Sequence, residues 1–316
     1  GGGTPSVLSG EQLCRIMDEI KQAFILSEDA EITMEANPGT VSPEQLKLCH
    51  EAGINRISFG LQSTVQQELD MLGRIHTYEE FLQSYHWARK AGFSNINVDL
   101  MFAIPGQTCE SWKHNLETVA ELSPEHISAY SLIIEEGTPF AQKKLILPTE
   151  DEEYQMYEDT AEILRKYGFH QYEISNYARD GFECRHNKGY WQRTEYLGAG
   201  LGAASLFRGK RFSNTRDMQT YLADSTEPEK IREDVTTLSR NNEIEEFMFL
   251  GLRMTEGISE RQFERNFGCR IEDIYGSVLA KYKEMDLLEH TGEFWRFTRK
   301  GIHVSNPVLA DFLLDE

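Results

Sequence analysis

Apolar and polar positions follow two alternating periods along the first two thirds of the chain. Amphipathic stretches with a helical period of 3.6 residues alternate with short apolar runs that are typical of strands. Capping boxes predict four helix starts, because a hydroxyl side chain and the side chain three residues later each satisfy a backbone amide that the helix leaves free. These pairs are Ser9 with Gln12, Ser42 with Gln45, Thr77 with Glu80, and Thr149 with Glu152.

The predicted helices also end in a common way. Gly53, Gly92 and Gly168 each stand where a left-handed C-cap ends a helix, and each leads directly into a strand-like run. With AEITMEAN and HISAYSL added, strands are predicted near residues 31, 55, 95, 127 and 170. Helices alternating with strands predict parallel strands joined by right-handed crossovers.

Two parallel architectures fit this alternation, the open doubly wound sheet and the closed or partly closed barrel. Periodicity does not distinguish them. Polar residues do, because Glu35, Gln62, Asp99 and Ser131 lie at or just beyond the carboxyl ends of different strands. An open sheet concentrates its site at one switch point, whereas a barrel gathers a site from many strand ends. We therefore favour a partial (β/α) TIM-like barrel.

The composition changes after residue 207, which predicts a first domain over residues 1–207 and a smaller α+β domain over 208–316. Residues 224–240 are polar, which predicts a loop or surface segment, and EIEEFMFLGLRM then predicts an amphipathic helix. Two further helices and a hairpin around Thr291 and Gly292 predict a winged-helix-like module. Because its surroundings are acidic, we expect this module to pack against protein and not to read DNA.

Charge and cysteine usage narrow the function classes. Lys and Arg total 32 against 52 Asp and Glu, and a net charge of −20 disfavours nucleic acid and anionic membrane surfaces. No apolar run approaches the roughly 20 residues that span a bilayer, and no signal peptide is present, so we expect a cytoplasmic protein. The five cysteines lack the close spacing of metal sites and are expected to be reduced thiols. They are Cys14, Cys49, Cys109, Cys184 and Cys269.

Several residues of the first domain could bind a ligand. The opening GGGTPS lacks the lysine of a phosphate loop and the spacing of a dinucleotide fold, but its exposed carbonyls could accept hydrogen bonds from an ammonium group. Asp99 lies between Val98 and Leu100 in a run that is otherwise apolar, so its carboxylate needs a partner, which could be a sugar diol. Arg74 could bind a carboxylate with two hydrogen bonds, with a plain surface arginine as the alternative.

A second cluster is ECRHNKGYW, which holds His186, Asn187, Tyr190 and Trp191. An imidazole beside aromatic faces suits a flat, apolar ligand that carries iron, whereas the structural alternative is a packed loop with a hydrogen-bonded histidine. The preceding YEISNYA predicts one buried strand that enters this segment.

Together these motifs resemble a known family. GGGTPS, EANPGT, ISFGLQS, LGR, NVDLMFAIPGQT, YEISNYA and HNKGYW occur in this order in radical S-adenosylmethionine (SAM) proteins related to oxygen-independent coproporphyrinogen III oxidase. The resemblance covers nearly the whole chain. It implies a partial barrel, SAM, and a [4Fe-4S] cluster held by a CxxxCxxC motif upstream of residue 1. We therefore expect the chain as given to lack the cluster ligands and to hold no catalytic residue.

The resemblance also implies roles for residues. Those implied to bind SAM are Gly2, Gly3, Thr4, Glu35, Gln62, Arg74, Asp99, Ser131 and Ala204. Within the family, the oxidase decarboxylates two propionates of coproporphyrinogen III, while the HemW branch binds heme and passes it to acceptor proteins. HNKGYW matches the HNxxYW signature of that branch, which implies heme contacts from His186, Asn187, Tyr190 and Trp191. A heme chaperone is therefore the leading hypothesis, with the oxidase and a non-catalytic folded fragment as alternatives.

Overall fold

The structure is a computed structural model, and it describes residues 4–138 and 140–314. These residues divide into two compact units, Thr4–Cys184 and a second that begins at Arg185. Residues 185–207, assigned to the first domain in the sequence analysis, pack within the second unit. Gly2 and Gly3 lie outside the described residues.

The first unit alternates helices and strands in the predicted way. Its helices are α1 (Gly10–Ala23), α2 (Pro43–Glu51), α3 (Gln66–Met71), α4 (Tyr78–Ala91), α5 (Cys109–Glu121) and α6 (Glu150–Lys166). Its strands are β1 (Thr33–Ala36), β2 (Arg56–Gln62), β3 (Ile96–Phe102), β4 (His126–Ser131), β5 (His170–Glu173) and β6 (Asn176–Ala178).

The six strands form one sheet in the order β1-β2-β3-β4-β6-β5. β1 to β4 are parallel neighbours, and β6 is antiparallel to both β4 and β5. Within the part of the chain that the structure describes, the outer strands β1 and β5 do not pair with each other, so the sheet is open. This parallel sheet with helical crossovers confirms the partial-barrel prediction.

The prediction of a single strand over YEISNYA is wrong. The chain turns at residues 174–175, and β5 and β6 form a hairpin. The Glu173 carboxylate stabilises this turn, since it accepts hydrogen bonds from the Ser175 backbone amide (3.1 Å) and from the Asn176 side chain. Glu173 is itself the buried last residue of β5, and its carboxylate satisfies polar groups of the turn that interrupts the predicted strand.

The predicted helix boundaries are confirmed. All four capping boxes form, each with both of its reciprocal hydrogen bonds. Gly92 ends α4 in the left-handed region at φ 109°, and a Cβ added there would lie 2.8 Å from Cε1 of His50. Both the backbone angle and the close imidazole thus require glycine at this position.

One face of the first unit's sheet packs against the helices and forms the core. In β3 the apolar residues Ile96, Val98 and Leu100 are fully buried and alternate with the polar residues Asn97 and Asp99. Because successive side chains of a strand point to opposite faces, the polar residues of β2, β3 and β4 share the face away from the helical layer. That polar face positions the candidate site.

The second unit contains short helices and two small sheets. Its helices are α7 (Arg185–Trp191), α8 (Met218–Asp224), α9 (Pro228–Ile231), α10 (Arg240–Gly251), α11 (Glu260–Phe267), α12 (Ile271–Glu284), α13 (Arg299–His303) and α14 (Ser305–Ala310). Its strands are β7 (Ala204–Phe207), β8 (Lys210–Asn214), β9 (Arg232–Thr237), β10 (Ile258–Ser259), β11 (Leu288–Thr291) and β12 (Phe294–Phe297). The sheets have the orders β7-β8-β9 and β10-β12-β11.

The predicted helix-helix-hairpin arrangement is confirmed in α11, α12, β11 and β12, with the turn at Gly292. Residues 224–240 form a largely exposed surface segment and not a loop, because α9 and β9 lie within them. β9 pairs with β8 while nearly all its side chains are exposed, so it lacks the apolar alternation that reveals a strand. Among the described residues, no helix combines the length and apolarity needed to cross a bilayer.

Candidate functional site

A hydrogen-bonded cluster covers the polar face of the first unit's sheet. The Ser58 hydroxyl donates to Oδ2 of Asp99 (3.2 Å) and accepts from Nδ2 of Asn97 (2.8 Å). Nδ2 of Asn97 also lies 2.7 Å from Oδ1 of Asp99. The three side chains come from β2 and β3, whose register places Ser58 opposite Asn97. Asp99 therefore has the partners that its place in an apolar run demanded.

His126 extends this cluster towards β5. Its Nδ1 donates to Oδ1 of Asn97 (2.6 Å), and its Nε2 accepts from the Tyr172 hydroxyl (2.9 Å). The Ser128 hydroxyl donates to the same Asn97 oxygen at 3.1 Å. Burial lowers the pKa of His126 well below its usual value, so the imidazole stays neutral in the folded protein. The base of the polar face is thus a rigid, neutral network.

Asp99 is the acidic centre of the polar face. It is half-buried, and burial raises the pKa of its carboxyl, while hydrogen bonds from Asn97, Ser128 and Ser58 act in the opposite direction. Burial lowers the pKa of Arg74, and the negative charge of Asp99 opposes that effect. A carboxylate and a guanidinium therefore face the same partly dehydrated region, where charge interactions are stronger than in water.

Asn37, directly after β1, connects the residues at the rim. Its Nδ2 donates to the Thr4 hydroxyl (3.2 Å), and its Oδ1 accepts from Nη1 of Arg74 (3.5 Å). A Cβ added to Gly60 would lie 3.3 Å from Nε2 of Gln62 and 3.4 Å from Oδ1 of Asn37. Glycine therefore leaves a small cradle between two amides at the carboxyl ends of β1 and β2.

The remaining predicted SAM residues differ in their surroundings. Glu35 is exposed on β1, opposite Ser58 in the register. The Ser131 hydroxyl, at the end of β4, donates to the Glu153 carboxylate of α6. Ala204 lies exposed on β7 of the second unit. The structure therefore brings Thr4, Gln62, Arg74 and Asp99 to one region of the first unit through Asn37 and Ser58.

The second candidate cluster lies on α7. His186 and Tyr190, four residues apart, contact edge to face with ring centroids 4.5 Å apart, and Tyr190 meets Tyr196 in the same way at 4.7 Å. Both His186 and Tyr190 are exposed. The guanidinium carbon of Arg253 lies over the Trp191 ring, 4.6 Å from the ring centroid. The helix thus presents an imidazole and a row of aromatic rings, with Tyr196 as a member that the sequence analysis did not name.

α7 is held in place by buried charges. Arg193, two residues after the helix, adopts a left-handed backbone (φ 55°), and its guanidinium lies 3.0 Å from the buried Glu246 carboxylate of α10. Nη2 of Arg211 on β8 approaches the other carboxylate oxygen at 3.0 Å. Non-glycine residues rarely adopt this backbone, so the ion pair stabilises the turn that follows α7.

Sequence reasoning missed several polar residues of the site. Asn37, Asn97 and His126 all contribute side chains to the networks described above. Asn97 and His126 alternate with apolar residues in INVDLMF and HISAYS, and that alternation was the available signal. Among residues 4–138 and 140–314, no group of three His, Cys, Asp or Glu side chains is placed to hold a metal ion.

Two sequence families match the chain. The radical SAM superfamily matches residues 1–119, and the HemN C-terminal domain matches residues 238–304. Neither match covers residues 120–237, so the domain boundary after residue 207 stays a prediction.

Curated relatives match over the full chain. The heme chaperone HemW of Lactococcus lactis subsp. lactis (strain IL1403) is 40% identical over 320 residues, which cover 100% of this chain and 84% of that protein. HemW of Bacillus subtilis (strain 168) is 40% identical over 321 residues, which cover 99% of this chain and 84% of that protein. HemW of Escherichia coli (strain K12) is 33% identical over 320 residues, which cover 100% of this chain and 83% of that protein.

A solved structure shares the fold. Coproporphyrinogen III oxidase (HemN) from Escherichia coli, a radical SAM enzyme, superposes with a TM-score of 0.86 at 23% identity, covering 99% of this chain and 76% of that one. At this identity the likeness concerns the fold alone. It confirms the parallel-strand architecture and the presence of a C-terminal domain.

Proposed function

The chain belongs to the HemW family of radical SAM proteins, and on that premise we propose that it is a heme chaperone, which binds heme and transfers it to acceptor proteins. The observation that carries the proposal is the exposed pair of His186 and Tyr190 on α7, within a chain that matches HemW proteins along its full length. The sequence-based prediction of a cytoplasmic location stays a prediction.

We assign heme to the aromatic surface of α7. Heme is a flat apolar macrocycle whose iron takes a nitrogen ligand, and an exposed imidazole beside aromatic rings offers both kinds of contact. His186 could supply the nitrogen, while Tyr190 and Tyr196 offer ring faces and edges. The ion pair of Arg193 and Glu246 fixes the end of α7, so these rings are ordered before heme arrives. Asn187 and Trp191 complete the proposed heme segment.

We assign SAM to the polar face and rim of the first unit. Asp99 offers carboxylate oxygens to a diol, Arg74 offers a guanidinium to a carboxylate, and Gln62 and Asn37 offer amides beside the Gly60 cradle. Glu35, Ser131, Thr4 and Ala204 are proposed further contacts. The half-buried position of Asp99 fits a polar nucleoside that excludes water. When bound together, SAM and a [4Fe-4S] cluster supply radical chemistry in this family.

Heme titration of wild type and His186→Ala tests the function. The protein is expressed together with the upstream CxxxCxxC segment that the family implies and is prepared with SAM and a reconstituted cluster, and heme binding is followed by Soret absorbance. We expect His186→Ala to weaken heme binding at least tenfold. His290→Ala is the matched control, since His290 also packs against an aromatic ring of the second unit, with its centroid 4.6 Å from that of Trp295. The control is expected to bind heme as wild type does.

The same samples distinguish the alternatives. Equal heme binding by wild type and His186→Ala would contradict the assignment of heme to α7. Conversion of coproporphyrinogen III to protoporphyrinogen IX without heme affinity would establish the oxidase in place of the chaperone. Neither heme binding nor conversion by wild type would leave only the folded, non-catalytic fragment.

A further inference from the structure

A buried carboxylate lies behind the rim of the first unit's sheet. Glu68 of α3 is 7% exposed and accepts hydrogen bonds from four polar side chains. They are the Ser63 hydroxyl (2.5 Å), Nε2 of Gln107 (3.0 Å), Nδ2 of Asn115 (3.0 Å) and the Ser111 hydroxyl (2.5 Å). In the described part of the chain, no Lys or Arg forms an ion pair with Glu68. A buried carboxylate is retained only where hydrogen bonds satisfy it, so these four donors hold each other in place through Glu68.

Two of the four donors lie in the loops that follow β2 and β3, and the other two lie on α5. Ser63 follows Gln62 directly, and Gln107 lies four residues after Ala103. Gln62 and Ala103 have left-handed backbones, with φ 73° and φ 58°. Non-glycine residues adopt this region only when their surroundings enforce it. Glu68 joins both segments to α5 and so supplies part of that enforcement.

Asn115 strengthens the same connection. Its Oδ1 accepts from the Thr64 hydroxyl (2.8 Å) and from the Thr64 backbone amide, while its Nδ2 donates to Glu68. The loop after β2 is therefore held at Ser63 by Glu68 and at Thr64 by Asn115, and these two side chains are hydrogen-bonded to each other. Gln62, whose side chain forms one wall of the Gly60 cradle, depends on this loop for its direction.

A comparable carboxylate at the opposite end of the strands provides a contrast. Glu125 precedes β4 and accepts from Nη1 of Arg89 (2.8 Å) and from the backbone amide of Ile96 (2.9 Å), the first residue of β3. It connects helix and sheet at the amino ends of the parallel strands, away from Gln62. Glu68 and Glu125 thus each join separate segments of the first unit, but of these two only Glu68 joins the loops beside the candidate site.

We propose that Glu68 is a positioning residue for SAM: it holds the loops after β2 and β3 so that Gln62 meets the ligand in a fixed orientation. This inference rests on the assignment of SAM to the first unit. Glu68 acts through the loop that follows Gln62 and does not itself contact the ligand.

Titration of SAM against wild type, Glu68→Gln and Glu125→Gln, each expressed with the upstream CxxxCxxC segment and loaded with the cluster, tests the proposal. Calorimetry gives the dissociation constant, and thermal melting gives the stability of each variant. Glu68→Gln removes the negative charge and leaves one acceptor oxygen in place of two, so the four donors no longer share a complete carboxylate and the connection between the loops is weakened. We expect its dissociation constant for SAM to rise at least tenfold, while Glu125→Gln lowers the melting temperature and leaves the dissociation constant within twofold of wild type.

Hydrogen exchange provides a readout that does not depend on the ligand. Without SAM, residues 61–66 are expected to exchange faster in Glu68→Gln than in wild type or Glu125→Gln. If Glu68→Gln does not fold, Ser111→Ala removes one of the four donors and is expected to raise the dissociation constant two- to fivefold.

The outcomes separate the two proposals. A wild type that does not bind SAM overturns the SAM assignment and the role of Glu68 with it. A wild type that binds SAM, together with a folded Glu68→Gln or Ser111→Ala of unchanged affinity, overturns only the role of Glu68. Equal weakening in Glu68→Gln and Glu125→Gln would also overturn it, because a general loss of stability would then explain the effect.

Discussion

Acidification should destabilise the first unit through His126. This imidazole is fully buried and neutral, with its Nδ1 proton donated to Asn97 and its Nε2 accepting from Tyr172. Burial lowers its folded-state pKa well below that of the unfolded chain. Below about pH 6.5 the unfolded state therefore binds a proton that the folded state refuses, and stability falls as the pH falls.

The size of the effect follows from this linkage. For an unfolded pKa of about 6.5 and a histidine that stays neutral when folded, the loss is RT ln(1 + 10^(6.5 − pH)), which is close to zero at pH 7.5 and on the order of 1 kcal/mol at pH 5.5. His126 should thus remove on the order of 1 kcal/mol of stability between these pH values. Burial also lowers the pKa of His76, which adds a loss of the same sign to wild type and variant alike.

The assay is urea unfolding of wild type and His126→Gln at pH 7.5, 6.5 and 5.5, followed by circular dichroism. Glutamine keeps a donor and an acceptor towards Asn97 and Tyr172 but does not titrate. The stability difference between wild type and variant should shift by on the order of 1 kcal/mol in favour of the variant between pH 7.5 and pH 5.5. A difference that stays constant across the three pH values would refute the claim that His126 is neutral in the fold.

Three further changes test the packing. Trp112→Phe removes two hydrogen bonds of a fully buried indole to α6, at 3.0 and 2.9 Å, and should destabilise by about 1–3 kcal/mol in urea unfolding; an unchanged midpoint would contradict this packing. Gly276→Ala, inside α12 with open space around it, should stabilise by about 0.5–1 kcal/mol, whereas Gly92→Ala should destabilise by more than about 1 kcal/mol; equal melting temperatures would contradict the two backbone assignments. Arg193→Ala should destabilise by about 2 kcal/mol, because Glu246 keeps only Arg211 as partner, and a loss below about 0.5 kcal/mol would show that the ion pair does not hold the turn.

Helix starts and parallel strands were predictable because their signals are local. Each capping box needs only two residues three positions apart, and all four form. β3 carries apolar residues on the face towards the helices and polar residues on the other face, so its apolar alternation is strong. The polar residue inside that run, Asp99, needed a partner wherever the strand lay, and its partners lie on the same strand and the neighbouring one.

The missed features depend on contacts that are distant in sequence. β9 is exposed and is a strand only because β8 pairs with it. The β5-β6 hairpin arises because β6 returns beside β4, which no local pattern encodes. On α7, Tyr190 contacts His186 four residues away as helix geometry requires, while Trp191 packs against Arg253, two residues after α10. Tyr196 joins this row only through the fold.

The central structural claim is that the polar face around Asp99 binds SAM. Calorimetric titration of SAM against wild type, Asp99→Asn and Asp159→Asn, each expressed with the upstream CxxxCxxC segment and loaded with the cluster, tests it most directly. Asp159, a buried carboxylate of α6 paired with Lys113 at 3.2 Å, belongs to the helical layer and serves as the control. We predict that Asp99→Asn weakens SAM binding at least tenfold while Asp159→Asn binds as wild type does. Wild-type affinity in a folded Asp99→Asn would contradict the claim.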